Sequence, residues 1–221
     1  NTDGSINSTV SANTTAGFSI VTWTGDGSTS TVGHGLGVVP KLYIMKRRDS
    51  ANYWWAGTTA VDGSLDFGEL DTTAAFGASS LTVPTSSVFY TDGSQNTNSA
   101  TYVAYVFAEV EGFSKFGSYE GNGSTAGPYI NTGFRPAYIW IKNIVSGKGW
   151  TIFDNKRDID NPTETEIYIH ATDAEASPYT NLDILSNGFK VKATSTWVNG
   201  NGNTLVYAAF AEAPFKYANA R

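Results

Sequence analysis

The stretch Phe18-Ser-Ile-Val-Thr-Trp-Thr24 is rich in β-branched and aromatic residues and stops at Gly25-Asp26-Gly27. That pattern predicts a strand running into a tight turn. Leu42 and Ile44 alternate with Tyr43 and Met45 along 41–47, and AYIWIKN at 137–143 repeats the alternation. Each run follows a proline, Pro40 or Pro136, which suits a strand start where no ladder donor is needed. Residues 101–110 and 204–211 read as long strands whose small alanines leave room for a second sheet. No window carries an i, i+3, i+4, i+7 apolar stripe, and only DAEAS at 173–177 has room for one helical turn. Many short strands between polar turns predict a sandwich or barrel.

The pattern is written twice. Gly17-Phe18-Ser19 recurs as Gly112-Phe113-Ser114, and Gly25-Asp26-Gly27-Ser28-Thr29 as Gly121-Asn122-Gly123-Ser124-Thr125. Pro40 matches Pro136; Leu42, Ile44 and Lys46 match Tyr138, Trp140 and Lys142; Trp54 matches Trp150. The correspondence loosens in the middle and returns with Phe89 over Phe189 and Phe107-Ala108-Glu109 over Phe210-Ala211-Glu212. So many matches in one order indicate an internal duplication, with a period too long for a solenoid. The expected architecture is all-β: two tandem, homologous β-sandwich, jelly-roll-like domains at 17–111 and 112–221, with 1–16 as a connecting segment. One larger sheet pair shared by both copies is the alternative.

Composition narrows the function. Of 221 residues, 15% are charged and 14% aromatic, and the net charge is −6. An acidic chain disfavours nucleic acid as a partner, because phosphates call for a cationic face; Lys46-Arg47-Arg48 reads as a protected strand edge. There is no cysteine, so thiol chemistry and disulfides are excluded. No apolar run reaches membrane-span length, and membrane insertion is not expected. The abrupt start at Asn1, without an initiator methionine, leads to the expectation of a C-terminal part of a longer polypeptide or a processed product.

Candidate chemistry is thin. His34 in GHGLG reads as a turn residue, since the loop lacks the spacing of a dinucleotide or P-loop motif. His170 has no equivalent in the repeat. Glu109 and Glu111, two apart on an expected strand, would share a face and could form a carboxylate pair for glycoside hydrolysis. DIDN at 158–161 and Asp66, Glu69 and Asp71 could bind Ca²⁺ through oxygens, although solvated turns are the first reading. No catalytic residue, cofactor or metal site is assigned. Of the neighbours Trp54 and Trp55, Trp54 is expected in the core by its match to Trp150, which leaves Tyr53 or Trp55 facing outward. Together with Trp197, Tyr53 and Trp55 are the candidates for glycan stacking or protein contact.

GFSIVTWTGDGSTSTVGHGLGVVPKLYIMKRRD, FAEVEGFSKFGSY, ILSNGFKVK and the closing PFKYANAR resemble a family of tailed-bacteriophage virion proteins found in marine and cyanobacterial phages. Val106 departs from relatives that carry cysteine in the terminal strand. The resemblance carries no catalytic residues. It implies a non-enzymatic tail-fibre or other structural protein at the virion surface, a homo-oligomer, in common fibre practice a trimer, with other virion proteins as partners. A carbohydrate-binding module contacting a host surface glycan is the alternative, and a glycan depolymerase ranks last.

Overall fold

The computed structural model describes residues 1–145, 147–176 and 181–212. The chain is almost entirely antiparallel β and divides into two compact units. The first comprises 1–70 and 77–109; the second comprises 71–76 and 110 onward.

In the first unit the strands are β1 (Ser8–Asn13), β2 (Phe18–Thr24), β3 (Ser30–Gly33), β4 (Leu42–Arg47), β5 (Trp54–Thr58), β6 (Asp66–Glu69), β7 (Gly77–Ala78), β8 (Val88–Thr91) and β9 (Thr101–Phe107). They form a seven-stranded sheet in the order β1-β2-β9-β4-β5-β6-β7 and a two-stranded sheet, β3-β8. The second unit contains β10 (Ser114–Glu120), β11 (Tyr129–Asn131), β12 (Pro136–Asn143), β13 (Trp150–Asp154), β14 (Ile167–Tyr168), β15 (Leu182–Leu185), β16 (Gly188–Val191), one short helix α1 (Thr196–Asn199) and β17 (Thr204–Ala211). Its sheets run β10-β17-β12-β13-β14 and β11-β16-β15. The order β2-β9-β4-β5-β6 is thus reproduced by β10-β17-β12-β13-β14, and β3-β8 by β11-β16. No sheet mixes strands of the two halves, so the alternative of one shared sheet pair does not hold among the described residues.

Each unit is a sandwich in which the large sheet packs on the small one. In the first, Val21, Trp23, Tyr43, Met45, Tyr102 and Ala104 from the large sheet meet Val32 and Phe89 from the small one. In the second, Ile139, Ile141, Phe153, Leu205, Tyr207 and Ala209 meet Ile130, Ile184, Phe189 and Val191. Strand alternation places these side chains on one face. Ala104 and Ala209 are the small core-facing residues expected on the long strands.

The repeated Gly-x-Gly turn has a structural cause. The turn carries the chain from the large sheet to the small one, β2 to β3 and β10 to β11, and the return connection from β8 to β9, or from β16 to β17, lies against it. A Cβ on Gly25 would come 2.3 Å from Thr97 O, and one on Gly121 would come 2.3 Å from Gly200 O. Gly27 and Gly123 have φ of 81° and 64°, the left-handed region open to glycine. A buried amide then binds the two crossings together. Asn96 Nδ2 donates to Asp26 Oδ1 at 2.6 Å and to Ser28 O at 2.9 Å, while its Oδ1 accepts from Trp23 Nε1 at 3.1 Å. Asn199 Nδ2 donates to Asn122 Oδ1, Ser124 O and Ala193 O at 3.1, 2.9 and 2.7 Å. The Ser28 amide and the Ser30 hydroxyl hold the Asp26 carboxyl below its ordinary range.

Four expectations are corrected. Residues 1–16 are not merely a connector, because β1 pairs along its whole length with β2 and Ile6 bridges to Val32. The strand expected at 101–110 ends at Phe107; beyond it Val110 forms only an isolated bridge with Ser114. In DAEAS, residues 173–176 form no helix, and Ala176 instead bridges to Glu166; Ser177 and the closing PFKYANAR lie outside the described residues. Trp54 is not a core residue. The β4–β5 register sets Trp54 opposite Lys46, and Trp55 opposite the buried Met45, so Trp55 packs on the core while Trp54 stacks on Tyr105 at 6.4 Å.

Two substitutions test this account by equilibrium urea unfolding. Asn199→Ala strands three buried or part-buried acceptors and is expected to cost about 3 kcal/mol, each unpaired buried polar group costing roughly 1–3 kcal/mol. A loss well below about 1 kcal/mol would contradict the clamp. Ser99, with φ of 63°, stands where the second unit has Gly202 at 69°. Ser99→Gly is expected to stabilise by about 0.5 kcal/mol, because relief of roughly 1–2 kcal/mol of left-handed strain exceeds the entropy cost of glycine.

Candidate functional site

The structure separates the three aromatic candidates. Tyr53 precedes β5 and is 49% exposed, the most open of the three, with Trp55 edge-on to it at 6.0 Å. Trp55 itself is half-buried, and its Nε1 is enclosed without a partner. Trp197 belongs to the second unit, on α1. Ser195 caps that helix, its Oγ accepting from Trp197 N at 3.3 Å. The Trp197 ring stacks on His170 at 5.6 Å, meets Tyr168 at 5.4 Å and lies under the Lys148 ammonium at 5.5 Å. Trp197 also lines an open groove of about 530 Å³ together with Thr125, Lys192, Thr194, Ser195 and Thr196. The helix and the groove were not readable from STWVNGNGN, where the pattern shows only a turn.

The titratable candidates are taken up by the fold. His34 is fully buried; its Nδ1 accepts from Leu36 N at 3.2 Å, so Nε2 carries the hydrogen it donates to Thr85 O at 3.1 Å. Burial pushes its pKa down. It is the turn residue expected. Glu109 and Glu111 follow the end of β9 instead of sharing a strand face, so the spacing argument for a hydrolytic pair is lost. In DIDN, Asp158 accepts from Glu164 N, Thr165 N and Thr165 Oγ1 at 2.9, 2.8 and 3.0 Å, and Asn161 exchanges hydrogen bonds with Ile184. The run is a loop held by residues 164–165 and by β15. Asp66 is buried on β6, its pKa raised by that burial and, to a lesser degree, by Asp62. Its neighbour Glu69 takes the opposite face of the strand, and Asp71 belongs to the second unit. Among the described residues no cluster of three or more His, Asp or Glu side chains assembles as a metal site. No helix there is long and apolar enough to cross a membrane.

A family described as a domain of unknown function, DUF7483, matches residues 1–214. The chain belongs to the DUF7483 family. No curated protein matches it, and no solved structure does.

One buried cation in this DUF7483 chain escaped sequence reasoning. Lys142 lies on β12 beside Trp150, fully buried, where Lys46 lies beside Trp54 in the first unit. Lys46 Nζ donates to Asn52 O, and Lys142 Nζ donates to Lys148 O, the same relation 96 positions on. Lys142 also donates to Ala74 O at 2.9 Å. Ala74 belongs to 71–76, the segment that joins the second unit from earlier in the chain. Phe76 N donates to Ile144 O at 2.9 Å, Gly147 N to Thr73 O at 2.8 Å, and the Phe76 ring stands edge-on to Trp150 at 5.8 Å. The signal for this role was the duplicated Lys–Trp spacing, visible in the sequence and read as part of the repeat without a role for the lysine.

Burial pushes the Lys142 pKa down to about 8 from the usual 10.5. Between those values the unfolded chain holds a proton that the folded chain releases, so stability rises with pH across that window. Urea unfolding from pH 7.5 to 9.5 is expected to show that rise in the native chain and to lose it in Lys142→Met. The same slope in both proteins would refute the assignment.

Proposed function

We propose that the DUF7483 chain is a non-enzymatic structural module of a tailed-bacteriophage virion, part of a tail fibre or other surface appendage, acting in assembly and host attachment. Its two units are copies of one ancestral module. The observation that carries this reading is what the buried polar groups do. Both ring nitrogens of His34, the ammonium of Lys142 and the amides of Asn96 and Asn199 all hold turns or loops. Groups fixed in this way make a rigid scaffold that presents surfaces, and buried polar residues with satisfied hydrogen bonds specify one packing. The resemblance of the GFSIVTWTGDGST, FAEVEGFSKFGSY and ILSNGFKVK stretches to phage virion proteins supports the same reading. Its partners are then copies of itself, as a homotrimer, and other virion proteins.

The second reading, a carbohydrate-binding module that touches a host glycan, is favoured by two observations: the half-open Tyr53 set against Trp55, and the groove beside Trp197. It is compatible with the first, since an appendage attaches through such a module.

Two measurements test the leading reading. Antibody raised against the purified chain is expected to label intact particles, with mass spectrometry of those particles recovering its peptides. Sedimentation of the isolated chain is expected to give a trimer. A monomer that is absent from purified particles overturns the proposal.

A further inference from the structure

The two units share a strand order, and among the places where they differ is the connection that leaves each small sheet. In the first unit four residues, 92–95, separate the end of β8 from Asn96. In the second, seven residues, 192–198, separate the end of β16 from Asn199. The short connection lies directly on its Gly-x-Gly turn: a Cβ on Gly93 would stand 3.1 Å from Gly27 O. The longer one stands off from the turn, and the groove opens between them, with Thr125 on the turn side and Lys192, Thr194, Ser195, Thr196 and Trp197 on the other.

The walls of this groove are fixed from beneath. Asn199 Nδ2 reaches Ser124 O behind one wall and Ala193 O behind the other, at 2.9 and 2.7 Å. Asn143, fully buried on β12, donates from Nδ2 to Thr196 O at 2.7 Å; in the repeat its place is taken by Arg47. Tyr119 OH donates to Val198 O at 2.7 Å. A pocket held open in this way needs little reordering on binding, which favours affinity.

Its chemistry is specific in kind. The rim is hydroxyl-rich, with Thr125 and Thr194 exposed. Trp197 is the one aromatic residue of the lining, and the lining's own cation, Lys192, is already paired with Asp183 at 3.3 Å. Hydroxyl donors and acceptors beside an aromatic residue suit a ligand rich in hydroxyls that also carries an apolar C–H face. We infer that this groove is a saccharide-binding site, a specialisation of the second unit that the first does not share. The inference deepens the attachment reading above by placing glycan recognition at Trp197 and not at Tyr53 and Trp55.

The test uses the whole chain on a printed array of bacterial O-antigen and capsular oligosaccharides, followed by titration of the strongest binder. Thr125→Tyr fills the groove from an exposed turn position and is expected to weaken binding by roughly tenfold or more, about 1.4 kcal/mol, with an unchanged melting temperature. Trp197→Ala is expected to weaken binding likewise but with a lowered melting temperature, since its ring packs on His170 and Tyr168, so Thr125→Tyr keeps the test decisive should that variant misfold. Tyr53→Ala is expected to bind like the native chain. An array without binding, binding insensitive to Thr125→Tyr, or binding lost only in Tyr53→Ala each overturns the inference. These outcomes are independent of whether the chain is found in virions, so failure here and failure of the virion reading are told apart.

Discussion

The fold depends on a primary amide at the place where the chain changes sheets. A sandwich must cross between its layers, and each crossing leaves backbone groups without ladder partners that still need hydrogen bonds. Asn96, itself on the incoming connection, holds the outgoing turn at Asp26 and Ser28 O, and the Asn199 amide holds both the outgoing turn at Ser124 O and its own connection at Ala193 O. Gly25 and Gly121 let the two backbones approach within a distance no Cβ would allow. The near-identical openings of the two halves follow from this contact: the residues that cannot vary are those pressed against a second backbone or held at positive φ.

A duplicated scaffold also makes its own control. The lysine opposite the tryptophan holds a loop carbonyl in both units, so that relation belongs to the shared architecture. Its second bond, to Ala74, belongs to the second unit alone and draws in a segment from before the first unit's last strands. In the same way the turn clamp is common while the three additional residues before Asn199 are not. Where two units share a strand order and differ in a loop, the difference falls on a surface, since the core leaves little freedom for it.

Much of the architecture was legible from pattern. Strands β2, β4, β12 and β17 fall where the β-branched and aromatic runs and the prolines set them; β2 shows the buried–open alternation of period two, while β4 and β17 are buried on both faces in their middles. The repeat predicted the common strand order. Trp54 was misplaced, because an aromatic match between copies does not say which face of the sheet it lies on; only the pairing of Trp55 with Met45 does. Glu109 and Glu111 looked like strand neighbours because the apolar run has no breaker before Gly112, and the strand stops earlier at Phe107. Of the candidate site, Trp197 could be named from its composition and setting. Its neighbours His170, Tyr168 and Lys148 could not, as they come from β14 with the residues after it and from the loop before β13, both distant in sequence from α1.

The sequence by itself determined the all-β class, the doubling of the pattern and the turns, since local periodicity and glycine sterics act over a few residues. Tertiary structure alone decided which tryptophan enters the core, which carbonyls Lys142 holds and that a groove opens beside Trp197. Those depend on register and on loops converging from distant positions, and no local pattern encodes a distance between segments that meet only when the sheets have packed.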